Sequence, residues 1–238
     1  MQRDRIDVWI AAASIADRVI TRLITIVMIL AAVAVLAAAW DAARFTAAGM
    51  QIVEYHDFAE LQRINPDTVA WITMDGTRID HPVVRGEDNF EYLDKDFYGN
   101  DYAGGCIFLD EQCDPALTGA YLIIHGHHMA HGAMFGDLSG YLESDFFEEH
   151  SSGRLLTADG VYELTVVGAA TVDAYDTEVY YTSEDRPLPM NLLDRCSLRR
   201  DVAFAEGDRL LLLSTCSGDM SNNRTAVFCR MRYAGENQ

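Results

Sequence analysis

Between Leu23 and Trp40 the chain runs for eighteen residues without a charge, LITIVMILAAVAVLAAAW, and the rest of the molecule has to be arranged around that segment. At about 1.5 Å per residue a helix over this run is roughly 27 Å long, close to the thickness of a bilayer's hydrocarbon layer. Arg3, Arg5, Arg18 and Arg22 precede it, whereas Arg44 is the only Lys or Arg among the twenty residues that follow. The positive-inside tendency then puts the N-terminus in the cytoplasm and the chain beyond residue 40 outside the cell. Trp40 stands where an interfacial aromatic ring anchors a span. The organisation expected is a cytoplasmic segment 1–22, a transmembrane anchor 23–40, a helical stalk 41–56 and an extracellular domain 57–238. A cleaved signal peptide is the competing reading, because Ala37-Ala38-Ala39 imitates a cleavage site. Against it, the apolar run exceeds a usual signal core and starts after 22 residues. The shorter apolar stretch Val8–Ala16 is bounded by Asp7 and Asp17 and cannot span. Either way the bulk of the chain is exported.

Charge narrows the work of the exported part. The 238 residues carry a formal net charge of −19, and residues 1–40 contribute none of that excess. Such a surface repels phosphate backbones, so nucleic acid is excluded as a partner. Five cysteines, at 106, 113, 196, 216 and 229, are too few and too scattered for a disulfide scaffold. No CxxC pair occurs, which disfavours a zinc ribbon or a thioredoxin-like redox site. A Cys106–Cys113 bridge is left open by the spacing.

The exported part reads as mainly β with short helices. Asp57-Phe58-Ala59-Glu60 opens a helix that Asn65-Pro66 stops. Residues 69–74, the turn Asp75-Gly76 and residues 78–84 form a hairpin pattern. Residues 105–109 and 121–125 are short apolar runs bounded by turn residues, as buried strands are. Met134–His150 reads as a helix with Phe135, Leu138, Leu142, Phe146 and Phe147 on one side. Strands follow at 154–157 and 162–170, a helix at 190–196, and closing strands at 209–215 and 225–233. With no regular βαβ alternation, a barrel or sandwich decorated by helices is expected.

Two neighbourhoods carry chemistry. In Ile123-Ile124-His125-Gly126-His127-His128-Met129 a hydrophobic strand runs into a histidine cluster. In Leu210-Leu211-Leu212-Leu213-Ser214-Thr215-Cys216-Ser217 another ends on a cysteine, with Arg224 eight residues later. A thiolate is the reactive form of cysteine, and a nearby imidazolium or guanidinium favours it. The same Arg can hydrogen-bond an oxyanion formed when a carbonyl is attacked. On residue types alone, a single cysteine after an apolar strand is more often a core residue.

The order and wording of these segments resemble the sortases, the cysteine transpeptidases of Gram-positive cell surfaces. Leu213-Ser214-Thr215-Cys216 is similar to the family's nucleophile strand end. Gly126-His127-His128-Met129 followed by Met134-Phe135-Gly136-Asp137-Leu138 resembles the class B histidine segment. Residues 58–67, Trp71-Ile72, 76–84 and 105–110 resemble the N-terminal part of that class, so the likeness spans about residues 57–233. It implies an eight-stranded sortase β-barrel preceded by N-terminal helices and a single transmembrane helix, with an extra helix before the last strand but one. It further implies a catalytic set of His127, Cys216 and Arg224, with Leu93, Thr182, Ser214 and Thr215 lining the peptide groove. The implied reaction cleaves a C-terminal sorting signal, of NPxTx or LPxTG type, after its Thr through a Cys216 thioester. The acyl group then passes to an amine of a lipid-linked peptidoglycan precursor or a pilin lysine. Neither a metal nor another cofactor is implied.

His127 is selected among the four clustered histidines because the family pattern places the catalytic one directly after the Gly. His125, where relatives often carry Tyr, reads as a strand residue packed near the site, and His128 and His131 as loop residues. Two other readings compete. An L,D-transpeptidase also orders His before Cys, but sets its cysteine in S-x-G-C, which Leu213-Ser214-Thr215 does not match. A membrane-tethered module that captures metal through HxHH predicts an inert Cys216.

Overall fold

The computed structural model describes residues 22, 24–33, 35–36, 58–183, 185–216 and 222–236, with residue 216 by its backbone. The chain divides into two units, residues 1–53 and 54–238. In the first, the described residues are helical and their apolar side chains, Ile24, Met28, Ile29 and Leu36 among them, are exposed. No helix among the described residues is long and apolar enough to cross a membrane. Of the expected cytoplasmic segment 1–22 only residue 22 is described, of the expected anchor 23–40 residues 23, 34 and 37–40 lie outside the described residues, and so does all of the expected stalk 41–56.

The second unit opens with helix α1 (Phe58–Ile64), which buries Phe58 and Leu61. Asn65 ends it, its Oδ1 accepting from the Asp67 amide at 2.9 Å. Strands β1 (Thr68–Met74) and β2 (Asp80–Val84) pair antiparallel as the expected hairpin. β3 (Ile107–Leu109) and β4 (Tyr121–His125) follow. Next come a 3-10 helix (Gly136–Leu142) and helix α2 (Ser144–Glu149). The chain continues through β5 (Ser152–Thr157), β6 (Gly160–Asp173), helix α3 (Thr177–Tyr180) and a further 3-10 helix (Met190–Arg195). Strands β7 (Leu198–Arg199), β8 (Arg209–Cys216) and β9 (Asn223–Gly235) close it.

The strand order is β5-β1-β2-β3-β4-β8-β9-β6-β7, and an added β5–β6 pairing closes the ring. Eight strands therefore form the barrel expected from the resemblance, and the two-residue β7 is a spur on β6. The parallel pairs β2–β3 and β4–β8 join chain-distant segments. β1 alternates buried and half-buried residues, so it covers the core with one face. β4 and β8 do not alternate: Tyr121–Ile124 and Leu210–Leu213 are all at most 1% exposed. Both faces are covered, and the 3-10 helix 136–142, with Leu138 and Tyr141 buried, packs over β8 and β9. That dual burial accounts for the unbroken Leu210-Leu211-Leu212-Leu213 run.

The expected single helix over 134–150 is corrected. It is a 3-10 helix and a separate α2, broken at Glu143, whose backbone is extended (φ −99°, ψ 132°). Met134 begins the segment with φ +53°, outside helical space, and Ser139-Gly140 weaken α propensity in the middle. The apolar stripe still faces inward: Phe135, Leu138 and Phe147 are buried. Helices α3 and 190–195 both precede β8, the last strand but one, as the resemblance implies.

A bidentate pair ties the loop before β8 to the end of β9. Arg232 Nε and Nη2 donate to Asp208 Oδ1 and Oδ2 at 2.7 and 2.6 Å. The Arg232 guanidinium holds the Asp208 carboxyl below the ordinary aspartate range. The unfolded chain therefore takes up this proton before the folded one does. The pair's contribution is complete above the unfolded value and is lost as pH falls through the folded one. Urea titrations below about pH 4 will show stability falling with pH, and Asp208→Asn will flatten that slope. At neutral pH, Leu212→Ala will cost about 2–5 kcal/mol in the same titration, because Leu212 is wholly buried between two covered faces.

Candidate active site

Three strand ends meet at one rim of the barrel because of register. β4 runs parallel to β8 with His125 beside Ser214, and β8 runs antiparallel to β9 with Cys216 opposite Arg224. The Gly126 amide donates to the Ser214 carbonyl at 3.1 Å, carrying the β4–β8 ladder one residue further. Gly126 has to be glycine: a Cβ there would lie 2.4 Å from Ile107 Cδ1 and 2.8 Å from the Phe135 ring. A cleft of about 370 Å³ opens at this rim, lined by Leu93, His125, His127, Ser214, Thr215 and Arg224 among others.

His127 is fixed from two sides. Its carbonyl accepts from the Phe135 amide at 3.0 Å, and its Nε2 lies 2.7 Å from the Leu93 carbonyl oxygen. A carbonyl can only accept, so Nε2 carries the proton, and Nδ1 of the neutral ring is the acceptor. Leu93 is itself held: the Cys106 amide donates to the Tyr92 carbonyl at 2.9 Å. The buried Tyr92 hydroxyl donates to Asp67 Oδ2 at 2.7 Å and accepts from Asn65 Nδ2 at 3.1 Å. Gly105, at φ +58°, lets this segment close, since a Cβ there would lie 2.6 Å from the Leu93 carbonyl oxygen.

Arg224 is half-buried and lines the cleft, with Nη1 donating to the Asn223 carbonyl at 3.1 Å. Among the described residues no carboxylate pairs with it, which leaves its charge available to a developing anion. Ser214 is 2% exposed, and its Oγ is 2.8 Å from the Tyr180 hydroxyl. Thr215 is equally buried, and its Oγ1 has no partner among the described residues.

Thr182 is placed differently from the groove residues. It is 4% exposed, donates its Oγ1 to the Tyr121 carbonyl at 2.7 Å, and is absent from the cleft lining. It secures the segment after α3 against β4 instead. The aromatic residues Phe90, Phe108 and Tyr180 line the cleft as well. Sequence reasoning did not assign them to the site: Phe108 reads only as part of a buried strand, Tyr180 ends a four-residue helix, and Phe90 lies in a loop without a periodic signal. Asp110, 3% exposed and bonded to His125 at 2.9 Å, also went unnoticed as a cleft residue. The signal that could have found it is a carboxylate closing a strand, one strand away from a histidine.

The clustered histidines have separate partners. His125 bonds to Asp110, His127 to Leu93, and His128 pairs its backbone with Met134. Among the described residues no three His, Cys, Asp or Glu side chains group as ligands would. Cys106 and Cys113 are free thiols, not bridged. Burial pushes both thiols, and that of Cys229, up to about 12, so all three are poor nucleophiles.

Comparison with known proteins gives a consistent result. A family model described as the sortase domain matches residues 72–232. Sortase B of Staphylococcus aureus (strain NCTC 8325 / PS 47) is 32% identical over 174 residues, covering 71% of this chain and 71% of that one. Sortase B of Listeria monocytogenes serovar 1/2a is 30% identical over 164 residues, 67% of each. A solved Streptococcus pyogenes class B sortase involved in pilus biogenesis aligns with a TM-score of 0.67 at 29% identity, covering 74% of this chain and 98% of that one.

The Leu93 carbonyl is the point where this site is most easily disturbed. Gly105→Ala will displace it and cost about 1–2 kcal/mol from left-handed strain alone. In proton NMR the His127 Nε2–H resonance of the wild type will broaden or vanish in the variant. Retention of that resonance would show that the carbonyl does not hold the ring.

Proposed function

Because the chain belongs to the class B sortases, which are cysteine transpeptidases, we propose that Cys216, His127 and Arg224 carry out its reaction on C-terminal sorting signals of surface proteins. The observation that carries this reading is the register at the cleft. Position 216 stands opposite Arg224, beside the strand that delivers His127.

In the first half-reaction the Cys216 thiol gives its proton to His127 Nδ1, and the thiolate attacks the carbonyl carbon of the signal's Thr. The oxygen that becomes negative is met by the Arg224 guanidinium. The C–N bond breaks, His127 gives its proton to the leaving amine, and a thioester remains. In the second, an amine attacks the thioester and the thiol is released. Leu93, Ser214 and Thr215 line the groove for the peptide, and Thr182 supports it from behind through the segment that carries Tyr180. The signal is of NPxTx or LPxTG type, and the acceptor amine belongs to a cell-wall precursor or a pilin lysine.

We also read residues 23–40 as the anchor that tethers the enzyme, with 1–22 in the cytoplasm, 41–56 as the stalk and 57–238 as the extracellular catalytic domain. The uncharged run, the four arginines before it and the exposed apolar side chains of the described helical residues support this reading. Sortases act at the cell surface, which an outward-facing catalytic domain suits.

The test uses the full chain in detergent micelles with quenched peptides of both motif types, with and without an amine acceptor. Cys216→Ala will abolish cleavage, and mass spectrometry of the wild type will trap a thioester on Cys216. Arg224→Ala will lower the rate by about 10²–10³-fold, and His127→Ala by about 10²–10⁴-fold. Cleavage that survives Cys216→Ala would sink the proposal. So would a Cys216 inert to thiol reagents in a protein that cleaves no peptide.

A further inference from the structure

The cleft contains a second imidazole that this scheme leaves without a role. The His125 ring lies between Phe108, 5.3 Å away between centroids, and Tyr180, 6.0 Å away and stacked at 23°. Its Nε2 is 2.9 Å from Asp110 Oδ2. Asp110 also accepts from Asn89 Nδ2 at 2.9 Å and from the Gln112 amide at 2.9 Å. Burial alone would raise the Asp110 carboxyl, but the bond from His125 and the other hydrogen bonds outweigh it and hold the group below its ordinary value. Asp110 is therefore an ionised acceptor at neutral pH, and His125 Nε2 is the donor. With Nε2 as the donor, the ring's acceptor atom is Nδ1, to which no described residue donates. The side chain is 21% exposed and lines the cleft.

The two imidazoles are built alike but backed differently. Each has Nε2 tied down, His127 by a neutral carbonyl and His125 by a carboxylate. The Asp110 carboxylate holds the His125 ring with Nε2 as donor and leaves Nδ1 to accept. Across the ladder His125 is the direct neighbour of Ser214, two residues before the nucleophile. Asp110 is also the one acidic residue among the described residues of the lining. The other charged or titratable groups facing the cleft are His127, Tyr180 and Arg224.

We propose that His125, backed by Asp110, is a second base of the cleft that takes a proton from the incoming acceptor ammonium, while His127 serves the thiol and the first leaving group. This rests on the transpeptidase reading given above. The acceptor arrives as R–NH3⁺ and gives one proton to His125 Nδ1. The amine nitrogen attacks the thioester carbon, and the C–S bond breaks with its electron pair on sulfur. A second proton passes from nitrogen to sulfur, restoring the thiol. One N–H stays in the new amide, and the His125 proton leaves to solvent.

Two acceptors separate this role from simple packing. Nα-acetyl-lysine amide is an ammonium at pH 7 and needs the base, whereas hydroxylamine is already unprotonated and does not. With the full chain in micelles and a sorting peptide that acylates it, His125→Gln will slow transfer to the lysine amine by about 10²-fold relative to hydroxylamine. The deficit will shrink as pH rises towards the amine's own pKa. Asp110→Asn, checked for folding by circular dichroism, will shift the ratio in the same direction by a smaller factor. Equal slowing of both acceptors, or of neither, in His125→Gln would overturn the inference while leaving the transpeptidase standing. Failure of the wild type to form any Cys216 thioester would remove the transpeptidase reading, and this one with it.

Discussion

The parallel pairing of β4 with β8 is the constraint on which the rest of the molecule depends. Both strands are buried on both faces, so neither can slip by one residue without driving leucines, isoleucines and a tyrosine out of register with two packed layers. A parallel ladder between segments some ninety residues apart in the chain costs loop closure, yet here it fixes the floor of the cleft. What the ladder transmits to the rim is position. His125 and His127 leave β4 at a height set by Ser214, and β9 brings Arg224 to the same height through its own register with β8. Core packing and site geometry are one problem in this barrel.

The site residues are secured by polar contacts that do not belong to the barrel ladder. His127 rests on a carbonyl from the long loop between β2 and β3, and Tyr180 is held by α3. That helix is capped by Asp176, whose side chain accepts from the Glu178 and Val179 amides. The Val179 carbonyl in turn accepts from the buried Tyr121 hydroxyl at 2.8 Å. The barrel supplies the precise strand ends, and two loops fold back to orient the groups that the strands only bring near.

Much of this was legible from the residues. Short apolar runs bounded by turns marked β4 and β8 because a strand buried on both faces has no other pattern to show. The hairpin at Asp75-Gly76 and the stop at Asn65-Pro66 were equally plain. The histidine and cysteine segments were legible through their resemblance to a family, since a lone Cys or His after a strand is uninformative by itself. What stayed hidden has a common cause. The 3-10 geometry of 136–142 keeps an apolar stripe that reads as an α-helix, and only the left-handed Met134 and the extended Glu143 break it. The roles of Asp110 and Tyr180, and the removal of Thr182 from the groove lining, depend on contacts between loops far apart in sequence. No local pattern encodes those.

The Leu93 carbonyl links the imidazole to the first residues of the domain. From His127 the path runs through Leu93 to the neighbouring Tyr92, from its hydroxyl to Asn65 and Asp67, and from Asn65 to the end of α1. Every step is a hydrogen bond or a peptide bond, and Tyr92 and Asn65 are nearly closed to solvent. The packing of the domain's first helix and the orientation of the His127 ring thus share one chain of hydrogen bonds, beside the contacts that α1 makes with the barrel.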